Sequence, residues 1–165
     1  MGYIQERVAK IQEAETTRVF TATNHAANRS IVANRARELW DSLVGYLETM
    51  TKEFALSLPA AKSGNLRADK FNPDNLTIQT NVFPLIKLEI LFSPGRIDAT
   101  SRETFHGLAV PKVKQFSPIR FTLDERQQPC FTDGERWLHP EHLAEEFMES
   151  VAAFFEEASR RPVIY

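Results

Sequence analysis

The residues best suited by type and spacing to chemistry are two histidines in the last quarter of the chain. His139 and His142 lie three positions apart, with Glu141 between them, in the segment His139-Pro-Glu-His142. Imidazole and carboxylate groups bind transition metals, and a bound metal can activate water. However, Pro140 fixes the backbone after His139, and the sequence contains no complete zinc-binding spacing. We interpret both histidines as polar residues at a helix start, and keep a metal-assisted enzyme using His139, Glu141 and His142 as an alternative.

Other patterns that accompany catalysis or cofactor binding are absent from the sequence. Cys130 is the only cysteine, and its neighbours Pro129 and Phe131 indicate a short strand, where a free cysteine usually acts as a small apolar residue. No two of the six glycines lie closer than 12 residues. Phosphate-binding loops need several glycines within about eight residues, because the backbone must approach the phosphate closely. We therefore expect a protein that is not an enzyme and that has no cofactor.

Composition and charge narrow the class of protein further. Of the 165 residues, 42% are apolar and 25% are charged, which is typical of a globular domain with a hydrophobic core. The net charge is −2, and the densest basic stretch, residues 29–37, holds three arginines and no aromatic residue, so we do not expect nucleic-acid binding. A single cysteine, no signal peptide and no long apolar run predict a cytoplasmic protein without membrane insertion.

The first 58 residues predict a helical region. Apolar residues recur every three or four positions, the spacing that places them on one side of a helix. These positions are Val32, Ala36, Leu39, Leu43, Tyr46, Met50 and Phe54. The stripe is widened by Trp40, Val44, Leu47 and Leu58, so we expect this face to be buried against a broad surface such as a sheet. Ser30 suits the N-cap of this helix, 30–58, and Pro59 ends it. A shorter helix over residues 3–22 precedes it, with a break around Asn24–Asn28, because threonine and asparagine have low helix propensities.

The rest of the chain predicts an antiparallel sheet followed by a second helix. Residues 59–75 are rich in turn-forming residues and predict a loop. Over residues 76–138 the apolar period becomes two, and short reversals predict an antiparallel meander of about five strands. Residues 139–160 predict a C-terminal helix, with Pro140 in its first turn. The predicted fold class is therefore α+β, as a single domain over 1–165. The apolar face of the C-terminal helix is formed by Leu143, Phe147, Val151 and Phe154.

The sequence favours a non-catalytic binding or assembly module. Helix 30–58 spans roughly 43 Å at about 1.5 Å per residue. That length is close to the diameter, roughly 40 Å, of a compact chain of this size. Helix 30–58 therefore leaves little sheet surface to cover the apolar residues of the preceding helix. A second copy of the chain is the simplest cover, so we predict a homodimer. The alternatives are another protein partner and a first helix that folds back on helix 30–58 within one chain, with the Asn24–Asn28 break as its turn. The candidate self-association residues are Ile4, Val8, Ile11, Val19 and Phe20.

A second hypothesis is a domain that binds a small apolar molecule. The chain contains 12 phenylalanines against two tryptophans and three tyrosines, and phenylalanine fills either a core or an apolar pocket. Such a pocket would lie between the sheet and the C-terminal helix. The candidate lining residues are Phe92, Phe121, Phe131, Phe147 and Phe154.

Overall fold

A computed structural model describes residues 2–161, and it describes the side chains of all of these except residues 21–28 and 30–32. Within residues 2–161 the chain forms helix α1, Gly2–Ser57, then an eight-stranded antiparallel sheet, then helix α2, Pro140–Arg160. The predicted α+β class is confirmed. The strands are β1 Arg67–Asn72, β2 Asn75–Gln79, β3 Leu85–Ser93, β4 Arg96–Thr104, β5 Lys112–Gln115, β6 Ile119–Leu123, β7 Pro129–Thr132 and β8 Trp137–Leu138.

The sheet is a meander with one branch. Its strand order is β1-β2-β3-β4-β6-β7-β8, and β5 also pairs with β4. Strand β6 pairs with residues 96–97 of β4, and β5 pairs with residues 100–103 of the same strand. The five predicted strands correspond to β2, β3, β4, β6 and β7. The strands that the sequence did not indicate are β1, β5 and β8, which are short or polar and lack an apolar alternation.

The prediction that residues 59–75 form a loop is wrong over β1. This strand pairs with β2, and the two are joined by a turn at Pro73 and Asp74. The turn chemistry was interpreted correctly, since the side-chain oxygen Oδ1 of Asn72 accepts a hydrogen bond of 2.8 Å from the backbone N–H of Asp74. The strand itself has no buried residue, so its sequence carries no period-two apolar signal.

Helix α1 is continuous, so the predicted break around Asn24–Asn28 and the predicted N-cap at Ser30 are both wrong. Once a helix exists, each further residue adds a backbone hydrogen bond, whereas threonine and asparagine cost at most about 0.7 kcal/mol each relative to alanine. A short run of poor helix formers is therefore insufficient to end a helix that continues on both sides. The 56 residues of α1 extend over about 84 Å at about 1.5 Å per residue.

The core lies between one face of the sheet and both helices. In β3, Ile86, Leu88 and Ile90 are buried, whereas Lys87 between them is exposed. The predicted apolar face of α2 is buried as expected. In α1, Tyr46 is 42% exposed, so the buried face is rotated from the predicted stripe. Among the described side chains of α1, the large ones that are fully buried are Trp40, Leu43 and Leu47.

Candidate interaction surfaces

The first part of α1, residues 2–20, is exposed along its whole length, and we call it the amino-terminal arm. It carries three large apolar side chains at spacings of four and three, which places them on one side of the helix. Ile4 is 71% exposed, Val8 is 48% exposed and Ile11 is 64% exposed. We call these three residues the apolar stripe. Exposed apolar residues in a row, rather than scattered singly, mark interaction surfaces.

Of the two other self-association candidates, which are also exposed, Val19 lies on the same side of the helix as this stripe and Phe20 does not. At about 100° per residue, Val19 lies about 60° and Phe20 about 160° around the helix from Ile4. Phe20 is therefore on the opposite side of the arm. The structure places four of the five candidates, Ile4, Val8, Ile11 and Val19, on one side of the arm.

The candidate pocket phenylalanines belong mainly to the core. Phe131, Phe147 and Phe154 are buried, and Phe92 and Phe121 are half-buried. Ring centroids lie 5.7 Å apart for Phe92 and Phe121, and 5.4 Å apart for Phe121 and Phe131. At these distances the rings fill the space between sheet and helices by contacting one another.

A groove of about 490 Å³ lies where α2 passes the end of β5 and the turn between β7 and β8. We call it the α2 groove. Its apolar residues are Phe116, Ile119, Leu143 and Phe147. Of the five candidate phenylalanines, Phe147 is the one that lines it. The other lining residues are Lys114, Gln115, Ser117, Asp133, Glu135, Arg136 and Glu146.

Charged side chains of both signs stand at the rim of the α2 groove. The Nζ atom of Lys114 lies 4.6 Å from the centre of the Phe116 ring. The guanidinium of Arg136 bridges Asp133 at 2.8 Å and Glu146 at 2.7 Å. Backbone N–H groups of Glu135 and Arg136, together with the Arg136 guanidinium, lower the pKa of Asp133 to about 2. The rim is therefore ordered by hydrogen bonds, and the apolar surface lies below it.

The lowered pKa of Asp133 predicts a specific dependence of stability on pH. The folded-state pKa of about 2 lies below the ordinary value of 3.8, so the stabilisation is present above about pH 4 and is lost as the pH falls through 2. In Asp133→Asn the amide oxygen can still accept the backbone hydrogen bonds, but the titrating group is gone. We expect the melting temperature of the variant to fall less steeply than that of the wild type between pH 4 and pH 2. Parallel melting curves over this range would contradict the role given to Asp133.

The histidine cluster is exposed at the start of α2. His139 precedes the helix, His142 lies in its first turn, and their ring centroids are 6.2 Å apart. Glu141 is also exposed. Among the side chains that the structure describes, no group of three or more His, Cys, Asp or Glu residues is arranged to hold a metal ion. Cys130 is buried, and burial raises the pKa of its thiol, which disfavours the reactive thiolate.

We predict that the purified protein carries no stoichiometric zinc and that a chelator leaves its melting temperature unchanged. A structural metal contributes directly to folding energy, so its removal lowers the melting temperature. Elemental analysis and thermal melts with and without chelator test this. One equivalent of metal that disappears in His139→Ala/His142→Ala would favour the metal-assisted alternative instead.

A charged network at the end of α2 was not indicated by the sequence, because its members are distant along the chain. Glu103 on β4 is half-buried beside Lys112 on β5, and burial raises the pKa of Glu103 while Lys112 opposes this. Glu157 on α2 accepts hydrogen bonds from Arg161 at 2.7 Å and from Lys112 at 3.1 Å, which lower its pKa. The guanidinium of Arg161 lies 4.7 Å from the centre of the Phe105 ring. The network joins α2 to the β4–β5 pair.

Comparison of the chain with protein-family models, with curated proteins and with solved structures found no match in any of the three. Neither helix, over the residues that the structure describes, is long and apolar enough to cross a membrane.

Proposed function

We propose that this protein is a non-catalytic assembly module that forms a homodimer through its amino-terminal arm. The observation that carries the proposal is the apolar stripe, Ile4, Val8 and Ile11, exposed along one side of the arm. Isolated helices are only marginally stable in water. Most of the stability of a helix in a protein comes from the packing of its apolar face. A partner helix on the stripe supplies that packing.

The energies involved favour a dimer of moderate affinity. Fully burying a valine or isoleucine side chain contributes roughly 1.5–3 kcal/mol, so the six stripe residues of two copies contribute roughly 9–18 kcal/mol at most. Association costs about 4–15 kcal/mol, because the two copies lose translational and rotational freedom. The two quantities are similar, and the dimer should therefore dissociate on dilution.

The direct test compares the intact chain with a truncated chain that begins at Asn28. Sedimentation velocity over a wide range of protein concentration should show a dimer for the intact chain and a monomer for the truncated one. The truncated chain keeps every α1 residue that is buried among the described side chains, the first of which is Ala36, so its body should still melt cooperatively. A monomer for both chains would refute the proposal, and a dimer for both would move the interface to the body.

The α2 groove favours a second function, the binding of a small apolar molecule. Its volume of about 490 Å³ lies within the range of ligand pockets, about 300–1,000 Å³, and apolar residues form part of its lining. Native mass spectrometry of the intact protein tests for a co-purified apolar molecule. Replacement of exposed Ser117 by tryptophan should fill the groove and release such a ligand without disturbing the core. A protein that carries no such molecule, and binds none added, would exclude this function.

A further inference from the structure

Strand β5 has a free edge, because the next strand of the sheet stops short of it. Strands β5 and β6 both pair with β4, at residues 100–103 and 96–97, and so form one line along it. Strand β7 pairs with β6 at residues 120–123 and does not extend to β5. Over the part of the chain that the structure describes, β5 therefore pairs with β4 on one side and with no strand on the other.

The register shows which backbone groups of β5 face this free edge. The backbone N–H of Phe116 donates a hydrogen bond of 3.0 Å to the carbonyl oxygen of Ala99. In an antiparallel pair, residues that bond to the neighbouring strand alternate with residues that do not. Lys114 therefore also bonds to β4, whereas Val113 and Gln115, both exposed, direct their N–H and C=O groups away from it. The free edge thus offers hydrogen-bond donors and acceptors to a further strand.

The α2 groove lies beside this free edge. Lys114 and Gln115 of β5 line the groove, together with residues of α2 and of the turn between β7 and β8. Phe116, which follows β5, packs against Phe147 of α2 with the ring centroids 5.4 Å apart, so Lys114 and Phe116 lie on the side of the sheet that faces α2. In a strand added at the edge, alternate side chains would point to that same side and hence to the groove.

We propose that the free edge of β5 binds an extended peptide segment of another protein, which pairs with β5 as an additional strand and places an apolar side chain in the α2 groove. The free donors and acceptors recur at every second residue, a pattern that an extended backbone matches along its length, as in other cases of β-strand addition. Pro111 and Pro118, which lack a backbone N–H, bound the edge, so it accepts only a short segment. The proposal depends neither on self-association of the arm nor on binding of a small apolar molecule.

The side chains beside the edge specify the sequence of the peptide. The peptide residue opposite Lys114 lies on the α2 side of the added strand, where an acidic side chain forms a favourable cross-strand pair with the ammonium group. The residue two positions away lies opposite Phe116, whose apolar neighbours in the groove are Ile119, Leu143 and Phe147. The expected peptide therefore carries an acidic residue and an apolar residue with one residue between them.

A phage-displayed library of short random peptides, screened against the intact protein, tests the proposal. We expect the enriched peptides to share this acidic and apolar pair. A screen that enriches no peptide would overturn the proposal.

The substitution Val113→Pro tests whether the enriched peptides bind at the edge. It removes a backbone N–H that points away from β4 and puts a ring in its place, so pairing with β4 is retained but an added strand is blocked. Val113→Ala is the matched control, because it shortens the same side chain but keeps the N–H. By fluorescence polarisation, we expect Val113→Pro to raise the dissociation constant of the peptides at least roughly tenfold and Val113→Ala to change it less than about threefold. Equal effects of the two substitutions would overturn the proposal.

Methylation of the peptide backbone gives a test that does not depend on how a variant folds. In an added strand, N–H groups that bond to β5 alternate with N–H groups that face solvent, so N-methylation should weaken binding at alternate positions. Equal tolerance at every position would mean that the groove alone holds the peptide, and would overturn strand addition. A second copy of the chain is the competing occupant. If a chain that begins at Asn28 forms a dimer that is lost in Val113→Pro but not in Val113→Ala, the edge binds that second copy instead.

Discussion

Leu43→Asp is expected to abolish cooperative unfolding of the domain. Leu43 is fully buried in α1, between Trp40 and Leu47, which are also fully buried. An ionised carboxylate without a partner in such a site costs several kcal/mol. A typical domain has only about 5–15 kcal/mol of stability in total. The variant should therefore lose its tertiary near-ultraviolet circular dichroism signal and its sharp thermal transition.

Leu56→Asp on the same helix is the matched control. Leu56 is 77% exposed, so the same substitution places a charge in water instead of the core. We expect its free energy of unfolding to remain within about 1 kcal/mol of the wild type, the small loss coming from an acidic side chain near a helix C-terminus. If Leu43→Asp melts as sharply as Leu56→Asp and at the same temperature, the face of α1 that contains Leu43 is not the core.

The sequence predicted those strands of the sheet that bury one face and expose the other. Strand β3 alternates buried Ile86, Leu88 and Ile90 with exposed Lys87, which is the pattern from which the sequence identifies a strand. Strand β5 has four residues, all exposed, and it exists because its backbone pairs with β4. Backbone pairing leaves no mark on residue types, so β5 could not be predicted from periodicity.

The face of α1 that is buried could be predicted only approximately. The sequence predicts one broad face, a stripe through Leu39 and Tyr46 that is widened by Trp40 and Leu47. The structure buries Trp40 and Leu47 fully and leaves Tyr46 exposed, partly because the indole Nε1 of Trp40 donates a hydrogen bond of 2.7 Å to the carbonyl oxygen of Pro73. That partner is distant in sequence, and its position follows from the β1–β2 turn rather than from any pattern within the helix.

The apolar stripe and the α2 groove also differ in how far each could be predicted from the sequence. The apolar stripe is a local pattern on one helix, so Ile4, Val8 and Ile11 could be identified from their spacing. The α2 groove combines Lys114 of β5 with Asp133 from a turn and other residues from α2. Nothing local relates these residues, and only the folded chain brings them together.

Ile11→Asp is expected to dissociate the dimer without changing the thermal transition of the body. Ile11 is 64% exposed in the single chain, so the substitution removes no contact from the core. In the dimer it removes one isoleucine from each copy and brings a carboxylate into the interface formed by the apolar stripe. The loss of two such side chains, at roughly 1.5–3 kcal/mol each, should raise the dissociation constant on the order of 100-fold or more. Sedimentation equilibrium and thermal melts of the same samples measure the two effects separately.

Ala9→Asp distinguishes a lost contact from a weakened helix. Residue 9 is also exposed, and at about 100° per residue it lies about 160° around the helix from Ile11. Alanine has the highest helix propensity, so Ala9→Asp reduces the stability of the arm as a helix more than Ile11→Asp does. If the stripe is the interface, Ala9→Asp should nevertheless remain dimeric at concentrations where Ile11→Asp is a monomer. Equal dissociation by both substitutions would mean that helix stability, and not contact through Ile11, controls self-association.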